Sequence, residues 1–345
     1  MNAKKIIVDC DPGIDDALAL MLLLRSPEVE ILGITVVCGN APTAIGAENA
    51  LKILSWMDRL DIPVYAGEER PLVRDYVDAM DTHGQDGLGE SFYPPVTAVR
   101  PRENAVDFLI ETLQNAKTNG EKITILTLGP LTNLARVIER CPECLGGLDE
   151  CFSMGGCYQS HGNCSPVAEY NYWCDPHAAK NVFHAFATLP CLSGKQIHMV
   201  GLDVTRRIVL TPNLTEYLCR LSPRTGEKIR TITRFYNDFH WTQEGVVGCV
   251  INDPLAAAYL IDRSLCSGFF AHTTVETEGV CLGQSVVDAF GFWKAPANSY
   301  VLTKTSPLRF MEMFFQRITG APAETLTPML RQLMGPDAEE MEGSL

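Results

Sequence analysis

Four aspartates fall within eight residues of this chain, in the run "IIVDCDPGIDDALALMLLL". They are Asp9, Asp11, Asp15 and Asp16, and apolar residues flank them on both sides. Asp9 and Asp11 alternate with Cys10 at the end of a β-branched run, so they share one face of a strand. Pro12-Gly13 turns the chain, and Asp15 and Asp16 fall in the first turn of the helix-like run that follows. A helix N-terminus carries about half a positive charge, which favours an anion but does not neutralise four of them. A hard divalent cation does: Ca2+ takes about six to eight oxygen ligands from carboxylates, backbone carbonyls and water. The plainer reading, an N-cap with supporting hydrogen bonds, accounts for one or two of these aspartates and not for the set.

The elements that must position them alternate strand and helix. "KKIIVDCD", "VEILGITVVCGN", "IPVYAG" and "KITILTLGP" read as strands. "DDALALMLLLRSP", "APTAIGAENALKILSWMD", the stretch 101–120 and "LTNLARVIERCP" read as helices. This rhythm predicts βαβ units in an α/β fold with an open, mostly parallel, Rossmann-like sheet. Ligands of such sheets bind at the carboxyl ends of the strands. That rule singles out residues 9–16, Gly39-Asn40, Leu128-Gly129-Pro130 and the "SMGG" run ending at Gly156. The reading turns helical over 212–244, an expected helical insertion, and strand-like again over 272–304. Residues 73–95, polar and glycine-bearing, read as a long mobile loop that covers a site. No repeat or linker divides the chain, so a single domain over 1–345 is expected.

A net charge of −14 and a pI near 5.0 offer no basic stripe to a nucleic acid. No apolar stretch reaches the ~18–20 residues of a membrane span. Thirteen cysteines are scattered, and Cys141 and Cys144 form a C-x-x-C with no second pair at zinc spacing. Met1–Lys5 leads straight into a strand-like run without a signal-peptide core. Free thiols in a reducing cytoplasm are therefore expected.

"DCDPGIDDALAL" resembles the N-terminal fingerprint of the inosine–uridine-preferring nucleoside hydrolases. The likeness continues in that family's order through "VVCGN", "LTLGPLTNLA", "SMGGCYQSHGNCSPVAEYNYWCDPHAA", "INDPLAAAYLID" and "GQSVVD". It implies an α/β sheet mixed at its edge, with a Ca2+ at the floor of the site. It also implies hydrolysis of the N-glycosidic bond of a ribonucleoside to ribose and free base. By position, Asp11, Asp16, Asp253 and the Leu128 carbonyl resemble the metal ligands, and Asp9 would lie behind them. Asp15 resembles a ribose-hydroxyl acceptor, and Asn40, Asn163, Glu169 and Asn171 resemble the other ribose contacts. His83 is similar to a loop histidine of some members. Relatives are often dimers or tetramers, so a homodimer or homotetramer acting on a small-molecule ribonucleoside is expected.

The chemistry suits these residue types. Asp11 can take a water proton as general base. Carboxylates can stabilise an oxocarbenium-like transition state. Amides suit a polyhydroxylated sugar. Two departures stand out. Asn252 occupies the position where many members have a histidine that helps protonate the departing base, and an amide transfers no proton at neutral pH. Tyr236 and His240, four apart on one helix face, are the candidate acids instead. Gln284 stands where an arginine is common. Asp175-Pro176 reads as a helix cap. Two other readings compete: a Ca2+- and ribose-binding homologue with little turnover, motivated by Asn252, and a haloacid-dehalogenase-type phosphatase, motivated by D-x-D after a strand. The phosphatase lacks a convincing downstream Ser/Thr, Lys and acidic set.

Overall fold

β1 (Lys4–Cys10) lies inside the sheet because it is apolar on both faces. The computed structural model describes residues 3–338. After β1 come α1 (Ile14–Leu24), β2 (Val29–Val36), α2 (Thr43–Trp56) and β3 (Val64–Ala66). A long connection holding one turn of helix, α3 (Met80–His83), leads to α4 (Ala105–Asn119), β4 (Ile123–Thr127), α5 (Thr132–Arg140) and β5 (Leu148–Met154). Then follow α6 (Tyr170–Cys174), α7 (Pro176–Thr188), β6 (Ile197–Val200) and α8 (Leu202–Thr205). β7 (Val209–Leu210) and β8 (Cys249–Val250) pair across α9 (Pro212–Leu221) and α10 (Pro223–Glu244). The chain closes with α11 (Asn252–Ile261), β9 (Cys266–Val275), β10 (Ser285–Asp288), β11 (Ser299–Thr305), α12 (Pro307–Thr319) and α13 (Ala323–Met334).

The main sheet has the order β10-β9-β11-β6-β5-β4-β1-β2-β3. Pairing is parallel from β3 to β11, and β9 and β10 run antiparallel at the edge. The expected mostly parallel sheet, mixed at its edge, is therefore observed. β1 is flanked by β2 and β4, and the chain reverses its direction of travel there. Such a switch point opens a crevice at the strands' carboxyl ends.

Each face of the sheet carries its own core. Ile6 and Val8 pack with α1, α2, α11 and α12, whereas Ile7 packs with α4, α5 and α7. α1 is buried from Ile14 to Leu23, as its all-round apolar sequence requires. Each buried Leu or Met there contributes about 1.5–3 kcal/mol. This packing fixes the N-terminus of α1, and with it the aspartates.

Two expectations need correction. The helix read over 101–120 starts only at Ala105, because Arg102 pairs beside β3 and Asn104 takes a left-handed turn (φ 66°). The strand region begins at Cys266, earlier than residue 272. Within the stretch 73–95, Asp86 Oδ1 accepts the Leu88 and Glu90 N–H groups (2.9 and 2.9 Å), and its Oδ2 accepts that of Phe92 (2.7 Å). A short polar side chain beside Gly87 makes that turn self-supporting. All thirteen cysteines are unpaired. No helix of the described residues is long and apolar enough to cross a membrane.

Asp175 caps α7, as its Asp-Pro sequence predicts. Its Oδ1 accepts the Ala178 N–H (3.0 Å), and its Oδ2 accepts the Thr132 hydroxyl and the Leu72 N–H (both 2.8 Å). Asp175→Ala is expected to lower stability by about 2–4 kcal/mol in urea unfolding, since it strands buried donors in three segments. An unchanged midpoint would show that the cap carries no such load.

Candidate active site

The site assembles at the switch point. Asp9 and Asp11 leave the end of β1, Asp15 and Asp16 open α1, and Asp253 opens α11. All five are buried. Asp9 faces away from the cavity floor: its Oδ1 accepts the Thr35 hydroxyl (2.5 Å) and Asn133 Nδ2 (2.8 Å). Burial lifts its pKa to about 6.

Asp11 sits between two glycines. Its Oδ2 accepts the Asn40 N–H (2.8 Å), and its Oδ1 has no hydrogen-bond partner. A Cβ on Gly39 would lie 1.9 Å from Oδ2, and one on Gly129 would lie 2.5 Å from Oδ1. The strand-end glycines are thus needed for close approach. Asp16 Oδ2 accepts the Gly13 N–H (2.9 Å) and Asn40 Nδ2 (3.0 Å), and its Oδ1 accepts the Asp11 N–H (3.3 Å). Burial, then the charge of Asp15, raises Asp16 to about 7. Burial and neighbouring carboxylates push Asp11 and Asp253 well above the usual carboxylate range. None of the ion pairs found among the described residues involves these aspartates.

Oxygens of Asp15, Asp16 and Asp253 lie within 4.8 Å of one another, a group able to hold a metal ion. The tightest triple therefore contains Asp15, which the sequence reading had placed on the sugar, while Asp11 stands beside it with Oδ1 open. The Leu128 carbonyl accepts Asn171 Nδ2 (2.7 Å), which leaves its second lone pair free. Buried anionic oxygens without a basic partner, one of them orphaned, fit a hard cation.

A cavity of about 480 Å³ rises from this floor, a size suited to a small ligand. It is lined by the predicted residues Asp15, Asn40, His83, Asn163, Glu169, Asn171, Tyr236, His240, Asn252 and Asp253, and by Leu128. Several of them already serve the fold. Glu169 caps α6, taking the Asn171 N–H (2.8 Å) on Oε1 and the Gly156 and Tyr172 N–H groups (2.7 and 3.3 Å) on Oε2; burial still raises it to about 7. Asn163 Oδ1 accepts the Tyr170 N–H (2.9 Å). Asn171 Nδ2 also reaches the Met154 carbonyl (3.1 Å), so its Oδ1 is the end left for a ligand.

Two histidines stand over the cavity in different tautomers. His83 Nδ1 accepts the Ile14 N–H (3.1 Å), the first of α1, so its Nε2 bears the hydrogen. His240 Nδ1 donates to the Tyr236 carbonyl (2.9 Å), so its Nε2 is the acceptor. Burial lowers both pKa values. Tyr236 lies between them, its ring 5.2 Å from His83 and 4.3 Å from His240. Tyr236 and His240 are both buried, so this face of α10 turns inward to the cavity rather than to solvent.

Sequence reasoning missed several supports. Asn49, fully buried, donates to the carbonyls of Pro12 (3.2 Å) and Asp86 (2.8 Å), joining the aspartate turn to the loop of His83. The Gly39 carbonyl accepts two tyrosine hydroxyls, Tyr76 (2.8 Å) and Tyr170 (2.7 Å). Asp203 accepts the N–H groups of residues 158–160, and Arg206 donates to the carbonyls of His161 and Gly162. A buried polar residue on an apolar helix was the one available signal, for Asn49.

A crevice at the end of a parallel sheet, floored by carboxylates and walled by amides and imidazoles, is built for a small polyhydroxylated molecule. The family profile described as inosine-uridine preferring nucleoside hydrolase matches residues 6–312. The pyrimidine-specific ribonucleoside hydrolase RihB of Escherichia coli O1:K1 / APEC is 34% identical over 302 residues, covering 87% of this chain and 92% of that protein. The plant nucleoside hydrolase PpNRh1 superposes with a TM-score of 0.83 at 29% identity, covering 92% of this chain and 99% of that one. A purine-preferring ribonucleoside hydrolase from Gardnerella vaginalis gives 0.83 at 30% identity, covering 92% and 98%. The chain belongs to the inosine-uridine preferring nucleoside hydrolase family, N-glycosyl hydrolases acting on ribonucleosides. The phosphatase reading falls with that result.

Gly39→Ala is expected to displace Asp11 and slow ribonucleoside hydrolysis by about 10²-fold, the usual effect of a displacement near 1 Å. Steady-state kinetics on a ribonucleoside checks this, and unchanged kcat would refute the clasp on Asp11.

Proposed function

We propose that this protein hydrolyses the N-glycosidic bond of purine and/or pyrimidine ribonucleosides, giving ribose and free base, with one Ca2+ at the floor of the site. The observation that carries the reading is the set of buried aspartates without a basic partner, beneath a cavity lined by amides. Asp11, Asp16, Asp253 and the Leu128 carbonyl would hold the ion, with Asp15 close enough to share it. When bound, Ca2+ supplies the positive charge the carboxylates need and acidifies water held among them.

The chain's own residues do the rest. Asp11 Oδ1, which has no hydrogen-bond partner in the protein, takes a proton from the attacking water. Asp15, Asn40, Asn163, Glu169 and Asn171 orient the sugar through the lone pairs and N–H groups that the fold leaves free. The carboxylates stabilise positive charge as the anomeric carbon flattens. Above the sugar, His83 Nε2–H offers the base a hydrogen. Tyr236 and His240 manage the proton that the departing base requires. Support for cytoplasmic action comes from the thirteen free thiols. The relatives' names divide between pyrimidine and purine preference, so both base classes belong in the test. A homodimer or homotetramer is the proposed assembly.

Two measurements decide. Elemental analysis of protein purified without chelator should find one Ca2+ per chain, and Asp11→Ala should abolish turnover; chelator-resistant activity in metal-free protein would overturn the metal assignment. In a panel of inosine, adenosine, uridine and cytidine with their 2′-deoxy counterparts, the deoxyribonucleosides should be rejected by about 10⁴–10⁵-fold in kcat/KM. Equal efficiency on both sugars would contradict the ribose roles of Asp15 and Asn171.

A further inference from the structure

Asn252 is the first residue of α11 and borders the cavity. Its backbone N–H and its Nδ2 both approach the same atom, Asp15 Oδ2, at 3.3 Å. The orientation of the amide follows from charge: an oxygen turned toward Asp15 would face a carboxylate. Oδ1 therefore points away from Asp15, and it is buried without a hydrogen-bond partner. A buried, unpaired acceptor at the wall of a binding cavity calls for a donor from the ligand.

We infer that Asn252 is a positioning residue for the sugar side of the reaction: it orients Asp15 through two donors and offers Oδ1 to a sugar hydroxyl. This rests on the ribonucleoside-hydrolase reading above. The free end of the amide has the wrong polarity for helping a base leave. The ring nitrogen that departs gains negative charge as the bond to the sugar breaks, and needs a hydrogen. Oδ1 would present it with a lone pair. A sugar hydroxyl, in contrast, has a hydrogen to give, and Asp15 beside it can take a second. Proton delivery to the base then falls to the other wall, where Tyr236 and His240 stand.

The test compares Asn252→Ala and Asn252→Leu with the unaltered enzyme on inosine, uridine and an activated riboside whose aglycone leaves as a stable anion. Removing a group that orients a site residue slows turnover by about 10–100-fold. That loss in kcat/KM should be equal for all three substrates, so their rate ratio should not move. Inhibition by free D-ribose should weaken in both variants. Asn252→His should not restore the natural nucleosides. Tyr236→Phe is the contrasting variant, expected to slow inosine or uridine while sparing the activated riboside. Loss confined to the natural nucleosides in the Asn252 variants, or recovery with histidine, would overturn the inference. So would ribose inhibition that remains unchanged. If the unaltered enzyme cleaved none of the three substrates, the ribonucleoside reading itself would fail, which is a different result from a shifted ratio.

Discussion

Four carboxylates, those of Asp11, Asp15, Asp16 and Asp253, share one buried floor, and none of them forms an ion pair with a lysine or arginine of the described residues. The rest of the site follows from that constraint. Two helix N-termini, those of α1 and α11, converge on the cluster, and each contributes about half a positive charge. Backbone N–H groups of Asp11, Gly13, Asn40 and Asn252 add directed hydrogen bonds. These partial charges lower the cost of bringing the carboxylates together without neutralising them. The strand ends carry glycine for the same reason. Gly39 and Gly129 let backbone approach Asp11 where a methyl group would displace it.

The walls of the cavity are held by the elements that hold the floor. His83 caps α1 with Nδ1, and Asn49 ties the same loop to the Pro12 carbonyl. A disturbance in the loop at 80–92 therefore reaches the aspartate turn through two hydrogen bonds. On the other side, Tyr170 and Tyr76 meet on the Gly39 carbonyl, one residue before Asn40. The cavity walls and the aspartate floor are thus parts of one network, although they lie far apart in the chain. Such networks give the preorganisation that a charge-separating transition state requires.

What the sequence made legible was what lies close together in it. The aspartate cluster declared itself because four carboxylates within eight residues have few bland explanations. The alternation of strand and helix predicted the parallel sheet, and the rule for carboxyl ends then pointed to Asn40, Leu128 and Gly129. The cap at Asp175 followed from an Asp-Pro pair. The partners of Asp9 were not legible, because Thr35 and Asn133 approach it only after β1, β2 and α5 are packed. The true start of α4 was hidden by a left-handed Asn104, which no periodicity reports. Within the loop at 73–95, polarity and glycine do not announce the turn that the Asp86 carboxylate closes over residues 86–92.

Glu169, Asn171, Asn40 and His83 border the cavity as expected, yet each spends part of its hydrogen-bonding capacity on backbone or on a neighbouring carboxylate. That double use has a physical consequence. A side chain whose one end is fixed by the fold presents its other end in a single orientation, so no rotamer freedom is lost when a ligand arrives. In His83 and His240 the fixed end is Nδ1, and it bonds a donor in one ring and an acceptor in the other. The ends facing the cavity are therefore of opposite polarity, a hydrogen on one wall and a lone pair on the other. Two identical side chains acquire opposite hydrogen-bonding polarity from the backbone groups behind them, which is information that a sequence motif does not contain.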